Sequence, residues 1–284
     1  MGRVISSQTF DEERALYNLQ DAEVQNCVFA GPQDGESVLK EVRGVTVRDC
    51  EFSLRYPLWH AQRFRLLSSS LDGKTRAPIW YANDGLIGNC TIDGIKCLRE
   101  CGNIQIEHCI VHSPEFGWKC HDLEFRQDSI DSEYFLLESS DVDITGLHLT
   151  GKYSFQYVKN AKIRDSVLDT KDAFWHSQNI TVENSVVKGE YLGWFSEGLT
   201  LVNCKIIGTQ PLCYCKNLKL IDCTMEGTDL SFEYSEVEAT VHGHILSVKN
   251  PKSGTIVADS VGEVIREGSI MQTEGKVVIR QKNT

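Results

Sequence analysis

The sequence predicts an all-β chain wound as a single-stranded parallel β-helix solenoid, and three observations carry that prediction. Ile180–Gly189 (ITVENSVVKG), Leu199–Gly208 (LTLVNCKIIG) and Leu218–Gly227 (LKLIDCTMEG) are copies of one segment that start 19 residues apart. Within each unit apolar residues alternate, as in Ile104, Ile106 and then Cys109, Val111, the pattern of short strands with one buried face. No helix-period run of ten or more residues lies between units, which excludes helical and leucine-rich solenoids.

The elements follow in chain order. Over residues 1–22, Thr9-Phe-Asp-Glu12 has the form of a capping box and is followed by Ala15, Leu16 and Leu19, so a short amphipathic helix is expected to close the first end. Residues 23–235 carry the rungs, about eleven or twelve of ~19 residues each. Their small column runs Cys27, Cys50, Ser69, Cys90, Cys109, Asp128, Leu147, Ser166, Ser185, Cys204 and Cys223, with every step from Cys90 onward equal to 19. Asp84, Asn103, Asp122, Asp141, Asn160, Asn179 and Asn217 suit a tight corner before the first strand. Gly73, Gly94, Gly151, Gly189, Gly208 and Gly227 mark the corner after the second, where positive φ is tolerated. A third strand is expected at PLWHA (57–61), PIWYA (78–82), FGWKC (116–120), AFWHS (173–177) and LGWFS (192–196). Over 236–284 the repeat decays into strand-like pieces, Thr240–Val248, Gly254–Ala258 and Lys276–Arg280, read as an irregular rung and a β cap of one domain spanning 1–284.

Composition narrows the function. A net charge of −11 argues against a nucleic-acid backbone as partner. No apolar stretch of signal-peptide or membrane-spanning length occurs, so a cytoplasmic protein with no membrane partner is expected. Six of the eleven cysteines fall in the small column, where reduced thiols act as compact hydrophobes. Cys97/Cys101 and Cys213/Cys215 lack a second pair or histidine at zinc spacing, and His242 with His244 gives only two ligands, so neither metal nor cofactor is expected.

Chemistry collects on the third strand. One row holds His60, Tyr81, Glu100, Lys119, Glu138, Tyr157, His176, Phe195 and Tyr214, and another Lys96, Glu115, Tyr134, Tyr153, Asp172 and Tyr191. Both rows are too polar and large to point inward, whereas Ala82, Cys101, Cys120, Ser177 and Ser196 beside them fit a core. Between them stand Trp59, Trp80, Arg99, Trp118, Trp175 and Trp194. Strict alternation buries that column, yet Arg99 and Gln156 in it would then need buried partners, so its direction stays open. Glu100 and Glu138 stand two rungs apart, about 9.6 Å at twice the strand spacing. That is the outer limit for an inverting carboxylate pair and too wide for a retaining one. Lys119 between acids suits an anion clamp better than a base. Asp172 and His176 offer a carboxylate near a neutral-pH base.

The strings RAPIWY (76–81), IKCLREC (95–101), KYSFQY (152–157), KDAFWH (171–176), GEYLGWFS (189–196) and TQPLCY (209–214) resemble an uncharacterised bacterial family within the right-handed parallel β-helix proteins of the pectate-lyase-like superfamily. The resemblance covers residues 20–265 and implies a right-handed coil. Enzymes of that superfamily cleave or modify acidic polysaccharides, so it also implies a carbohydrate lyase or glycoside hydrolase acting on a saccharide along the third-strand face. The chain lacks the Asn-Thr-Asp, Asp-Asp and Gly-His-Gly set of polygalacturonases, and it lacks the calcium-binding Asp cluster with an Arg base of pectate lyases. On this reading Lys96, Arg99 and Lys119 hold an anionic group. Glu100, Glu115, Asp172 and His176 are the acid and base candidates, and Trp118, Trp175, Trp194, Tyr153 and Tyr191 stack on sugar. The alternative is a non-catalytic glycan- or protein-binding scaffold that uses the same face. The sequence sets no oligomeric state.

Overall fold

A computed structural model describes residues 3–32 and 36–281. The chain is an all-β parallel solenoid of about 14 turns spaced by about 19 residues. By contacts it divides into two compact units, Met1–His148 and Leu149–Thr284. In the first, strand Gly102–Glu107 pairs in parallel with Asn83–Gly88 and His121–Arg126, and Ile110–His112 pairs with Thr91–Ile92 and Ser129–Ser132. In the second, Gln178–Glu183 lies between Lys159–Arg164 and Thr200–Val202. These coils repeat the register of their neighbours at 19-residue intervals, and like residues stack.

The Asp/Asn column sits at the corner as expected. Asp84, Asn103, Asp122, Asp141, Asn160, Asn179 and Asn217 all have φ between 50 and 56°, the left-handed region these residues tolerate best after glycine. Their side chains form ladders, with Asn103 Nδ2 donating to Asp84 Oδ1 at 2.7 Å. The glycine column has more than one cause: Gly208 and Gly227 have the expected positive φ, 125 and 64°, whereas Gly189 does not. A Cβ on Gly189 would collide with the backbone carbonyls of Thr170 and Lys171 in the preceding coil, so it is close approach of two backbones, not positive φ, that demands glycine there.

Inside, apolar residues stack into continuous columns. Phe29 is fully buried with ring centroids of Phe10 and Phe52 at 5.3 and 4.7 Å on its two faces. Phe155 and Phe174 stack at 5.0 Å. All eleven cysteines are buried and unbridged. The small column also accepts hydrogen bonds, because each corner exposes an N–H to the core. Cys27 N donates to Cys50 Sγ at 3.4 Å, Cys50 N to Ser69 Oγ at 3.1 Å and Ser166 N to Ser185 Oγ at 3.0 Å. Small side chains with a sulfur or oxygen satisfy this donor, which explains why Cys and Ser both occupy the column.

Asp128 fills the same slot at 1% exposure, accepting from Cys109 N at 2.8 Å and Arg126 N at 3.0 Å. Burial nevertheless pushes its carboxyl up to about 6. The fold therefore prefers the protonated acid, and its contribution is complete below the unfolded value of 3.8 and lost as pH rises to about 6. Asp128→Ser, a residue type the same column holds at Ser69, Ser166 and Ser185, is expected to remove a pH-dependent loss of about 3 kcal/mol. Urea unfolding at a series of pH values checks this: the variant should be the more stable protein at pH 7, and a parallel pH slope in both proteins would refute it.

The first 22 residues do not form the expected helix, and no helix occurs among the described residues. Arg3–Ser6 pairs with Ala22–Gln25, and Thr9–Phe10 with Val28–Phe29, so this segment is a full first coil. Arg14, Leu16 and Asn18 have φ of 56, 56 and 52°, which no right-handed helix accommodates. Glu12 reaches the N–H of Asp11 instead of closing a capping box. At the other end Glu236–Lys249, Ser253–Ile265 and Lys276–Ile279 pair in parallel and continue the ladder with a changed offset. Reading these coils as caps made the expected rung number too low.

The third side departs from a regular strand. Among the described residues, only Cys97–Arg99, Glu115–Trp118 and Tyr134–Phe135 form a sheet there. In these coils as in the others alternate residues are left-handed: Leu98 and Glu100 at 56 and 51°, Leu58 and His60 at 59 and 55°, Phe174 and His176 at 65 and 53°. Each such non-glycine residue costs about 1–2 kcal/mol, offset by hydrogen bonds to both neighbouring coils. Leu58 N donates back to Val38 O at 3.0 Å and His60 N forward to Trp80 O at 2.9 Å. The alternation of φ changes which way side chains face. Leu58 is buried, Trp59 half-buried, His60 exposed and Ala61 buried, so the tryptophan column points outward beside the polar row.

Candidate functional site

In the first unit the ionic candidates come together. Arg99 Nη2 lies 3.2 Å from Glu115 Oε2 and Lys96 Nζ 3.6 Å from Glu115 Oε1, so one carboxylate is held by two cations. The Arg99 guanidinium is sandwiched between the rings of Trp80 and Trp118, at 4.6 and 4.8 Å from their centroids. This placement follows from register, since Arg99 pairs with Trp80 in one neighbouring coil and Trp118 in the other. The delocalised cation replaces an indole in the stack begun by Trp59 and Trp80 at 5.2 Å. Lys119 is exposed and 3.8 Å from Glu138, while Glu100 is exposed in the same row. These groups form a ladder along the side, not a ring around one point.

The second unit carries a ladder of aromatic rings. His176 lies between Tyr157 and Phe195, each at 5.0 Å and within 8° of parallel; Phe195 stacks on Tyr214 at 4.8 Å. Ring faces therefore cover one another, and the edges meet solvent. Phe195 is 44% exposed and Tyr157 49%. Trp175 and Trp194 stack at 5.7 Å, and their indole N–H groups are consumed by Tyr191 O at 2.8 Å and Gln210 O at 2.9 Å. Tyr191 packs edge-on against Trp194, and Tyr153 carries the Lys152 ammonium at 4.8 Å. Trp118 likewise donates to Tyr134 O at 3.0 Å.

Asp172 leaves the outer row. It is 6% exposed, its Oδ1 has no hydrogen-bond partner, and burial raises its carboxyl from the usual value, with Lys171 opposing and Glu190 adding to the shift. His176 stands outside in the ring ladder, so the two do not act as a bonded pair. Beside this side the second unit holds a shallow groove of about 440 Å³, floored by Gly151, Gly189 and Gly208 and walled by Asp169, Lys171, Lys188 and Glu190. Its walls are ion-paired, Lys188 to Asp169 at 2.7 Å and Lys171 to Glu190 at 3.9 Å.

His242 and His244 have separate partners. His242 lies between Asp222 at 3.3 Å and Arg280 at 2.8 Å, and His244 Nδ1 meets Ser260 Oγ at 2.9 Å. No group of three or more His, Cys, Asp and Glu side chains able to hold a metal ion occurs among the described residues. Nor is any helix there long and apolar enough to cross a membrane.

A family model described as "Protein of unknown function (DUF3737)" matches residues 3–279. No curated protein matches the chain. Among solved structures the chain is similar to the Streptococcus pneumoniae surface adhesin PfbA, with 10% identity, 92% of this chain and 71% of that chain covered, and a TM-score of 0.39. It is similar to the A-module of the Azotobacter vinelandii mannuronan C-5 epimerase AlgE4, with 12% identity, 99% and 91% covered, and a TM-score of 0.38. A mutant tailspike protein of E. coli bacteriophage HK620, solved with a hexasaccharide, gives 9% identity, 98% and 71% coverage, and a TM-score of 0.38.

Proposed function

The chain belongs to the DUF3737 family over residues 3–279, and we propose that it binds a saccharide along the third side of its second unit without turning it over. The observation that carries this reading is the flat ladder of Tyr157, His176, Phe195 and Tyr214. Aromatic rings carry a positive edge, so a column of outward edges favours the oxygen-rich outline of a sugar chain over the stacking of single sugar rings on open faces. Tyrosine hydroxyls and the imidazole add polar contacts at the same interval. A repeating ligand gains one contact per coil.

The acids support binding over catalysis. General acid–base chemistry needs a donor and an acceptor within hydrogen-bond reach of one reacting bond. Glu115 is engaged by Lys96 and Arg99, Lys119 by Glu138, and Asp172 is buried away from the row that holds His176. No pair of them flanks a common point.

The test is a panel of neutral, acidic and amino-sugar oligosaccharides, titrated calorimetrically and assayed for new reducing ends and unsaturated products. The ring substitutions are to asparagine, because His176 and Phe195 have φ of 53 and 60° and asparagine tolerates that region. The His176→Asn, Phe195→Asn double variant is expected to keep its thermal midpoint and bind about tenfold more weakly or worse. Product formation, or unchanged affinity in the variant, would sink the reading.

A further inference from the structure

The ring ladder of the second unit is open at four positions and closed at the fifth. One repeated hydrogen bond sets its succession: Tyr157 N donates to Trp175 O, His176 N to Trp194 O, Phe195 N to Cys213 O and Tyr214 N to Glu233 O. Each of these carbonyls stands one residue before the next ring. The fifth ring is therefore Tyr234, whose centroid lies 5.7 Å from that of Tyr214 with the two planes 42° apart. Tyr234 N donates in turn to Asn250 O at 3.0 Å, so the position after it is Pro251. Pro251 is buried and offers no aromatic edge.

One loop does the closing. Between strands Ser253–Ile265 and Lys276–Ile279, residues 266–275 fold back over this end of the row. Ile270 N donates to the Tyr234 hydroxyl at 3.1 Å, Asn250 Nδ2 to Glu267 O at 3.0 Å and Gly275 N to Pro251 O at 3.1 Å. Arg266 Nη2 donates to the Gly275 carbonyl and ties the two ends of the loop together. The hydroxyl is the far tip of a tyrosine, so a backbone N–H bonded to it covers that tip. Tyr234 is accordingly 7% exposed, whereas Tyr157, Phe195 and His176 are open to solvent. The crest of the loop, Ile270, is 85% exposed, so the segment stands up from the side as a wall.

We propose that loop 266–275 is an end stop, and that the ladder receives the terminus of a saccharide chain and not its interior. The proposal rests on the saccharide reading above and adds the class of ligand, chain ends and short oligosaccharides. A chain laid along the ring edges from Tyr157 finds no further edge beyond Tyr214 and meets the loop. To continue, it must displace that loop and break the hydrogen bonds to Tyr234, Asn250 and Pro251, bonds that are expensive to leave unmade at buried groups. A free terminus leaves them intact.

The experiment titrates the protein with hexasaccharides of glucose, N-acetylglucosamine and galacturonate, each free, carrying a bulky fluorophore at one end, at the other end, or at both. For the hexasaccharide that binds, a label at one particular end, and the double label, are expected to weaken affinity about tenfold or more, while the label at the opposite end has little effect. That difference should shrink in Tyr234→Phe, which keeps the ring and removes the hydroxyl that holds Ile270, and vanish when residues 268–272 are deleted. Hydrogen exchange at the Ile270 amide reads the loop without any sugar and should be slow in the parent and fast in Tyr234→Phe. Equal affinity for free and doubly labelled forms in the parent would overturn the end stop and leave saccharide binding standing, whereas no binding of any hexasaccharide would overturn both. Discrimination unchanged in the two variants, or an Ile270 amide that exchanges equally fast in parent and Tyr234→Phe, would also overturn the end stop.

Discussion

Gly208→Ala is expected to lower the unfolding free energy by about 3 kcal/mol or more, an effect at the top of the range for overpacking. Two causes add. Gly208 has φ of +125°, where an L side chain is strained, and the added Cβ would occupy the space of the Gly189 carbonyl in the coil below. Backbone on backbone leaves no flexible side chain to give way. Because like residues stack, the strain is delivered to the ladder formed by Val186–Lys188 and Lys205–Ile207. Urea unfolding followed by circular dichroism measures the loss; a variant within about 0.5 kcal/mol of the parent would contradict this account of the glycine column.

A second large effect is expected for Phe29→Ala, about 3–5 kcal/mol. Phe29 is fully buried and loses two stacked partners at once, Phe10 and Phe52. Phe195→Asn removes a ring of the same kind from the outer ladder, where it is 44% exposed, and should shift stability by less than about 0.5 kcal/mol. The contrast tests the assignment of inner and outer columns more sharply than either variant alone. Equal losses at Phe29 and Phe195 would mean that the outer rings are structural.

The fold was legible because a solenoid repeats its steric demands. The Asp/Asn corners and the Cys/Ser column each recur for one local reason, a left-handed corner or a buried N–H, and the period exposes them. The first coil misled because Thr9 to Glu12 has the spelling of a capping box, while the coil-to-coil bonds that decide the matter, such as Arg14 N to Glu36 O at 2.8 Å, lie far along the chain. The geometry of the third side is hidden from the sequence for a related reason. Nothing in the propensities of Leu58 or Phe174 announces positive φ, so simple alternation left the direction of the tryptophans open.

The candidate site was partly legible. Lys96 and Glu115 stand in one row at the 19-residue interval, whereas Arg99 belongs to the neighbouring column and meets Glu115 of the next coil at an offset of 16 residues that the grid does not display. His176 has a base's chemistry that the sequence shows, whereas Tyr157, Phe195 and Tyr214 stand in the same row as ordinary aromatic residues. What joins them is ring stacking, which depends on coil register and not on charge or basicity.

The central claim is that a saccharide meets the outward ring edges of the second unit and leaves unchanged. Nuclear magnetic resonance of the protein with a bound oligosaccharide tests it most directly, by following aromatic signals and the free sugar together. The account predicts shifts at Tyr157, His176, Phe195 and Tyr214, still indole N–H signals at Trp175 and Trp194 because those protons remain on Tyr191 and Gln210 carbonyls, and a sugar spectrum that does not change with time. Displaced indole signals with silent ladder rings, or the growth of product resonances, would contradict it.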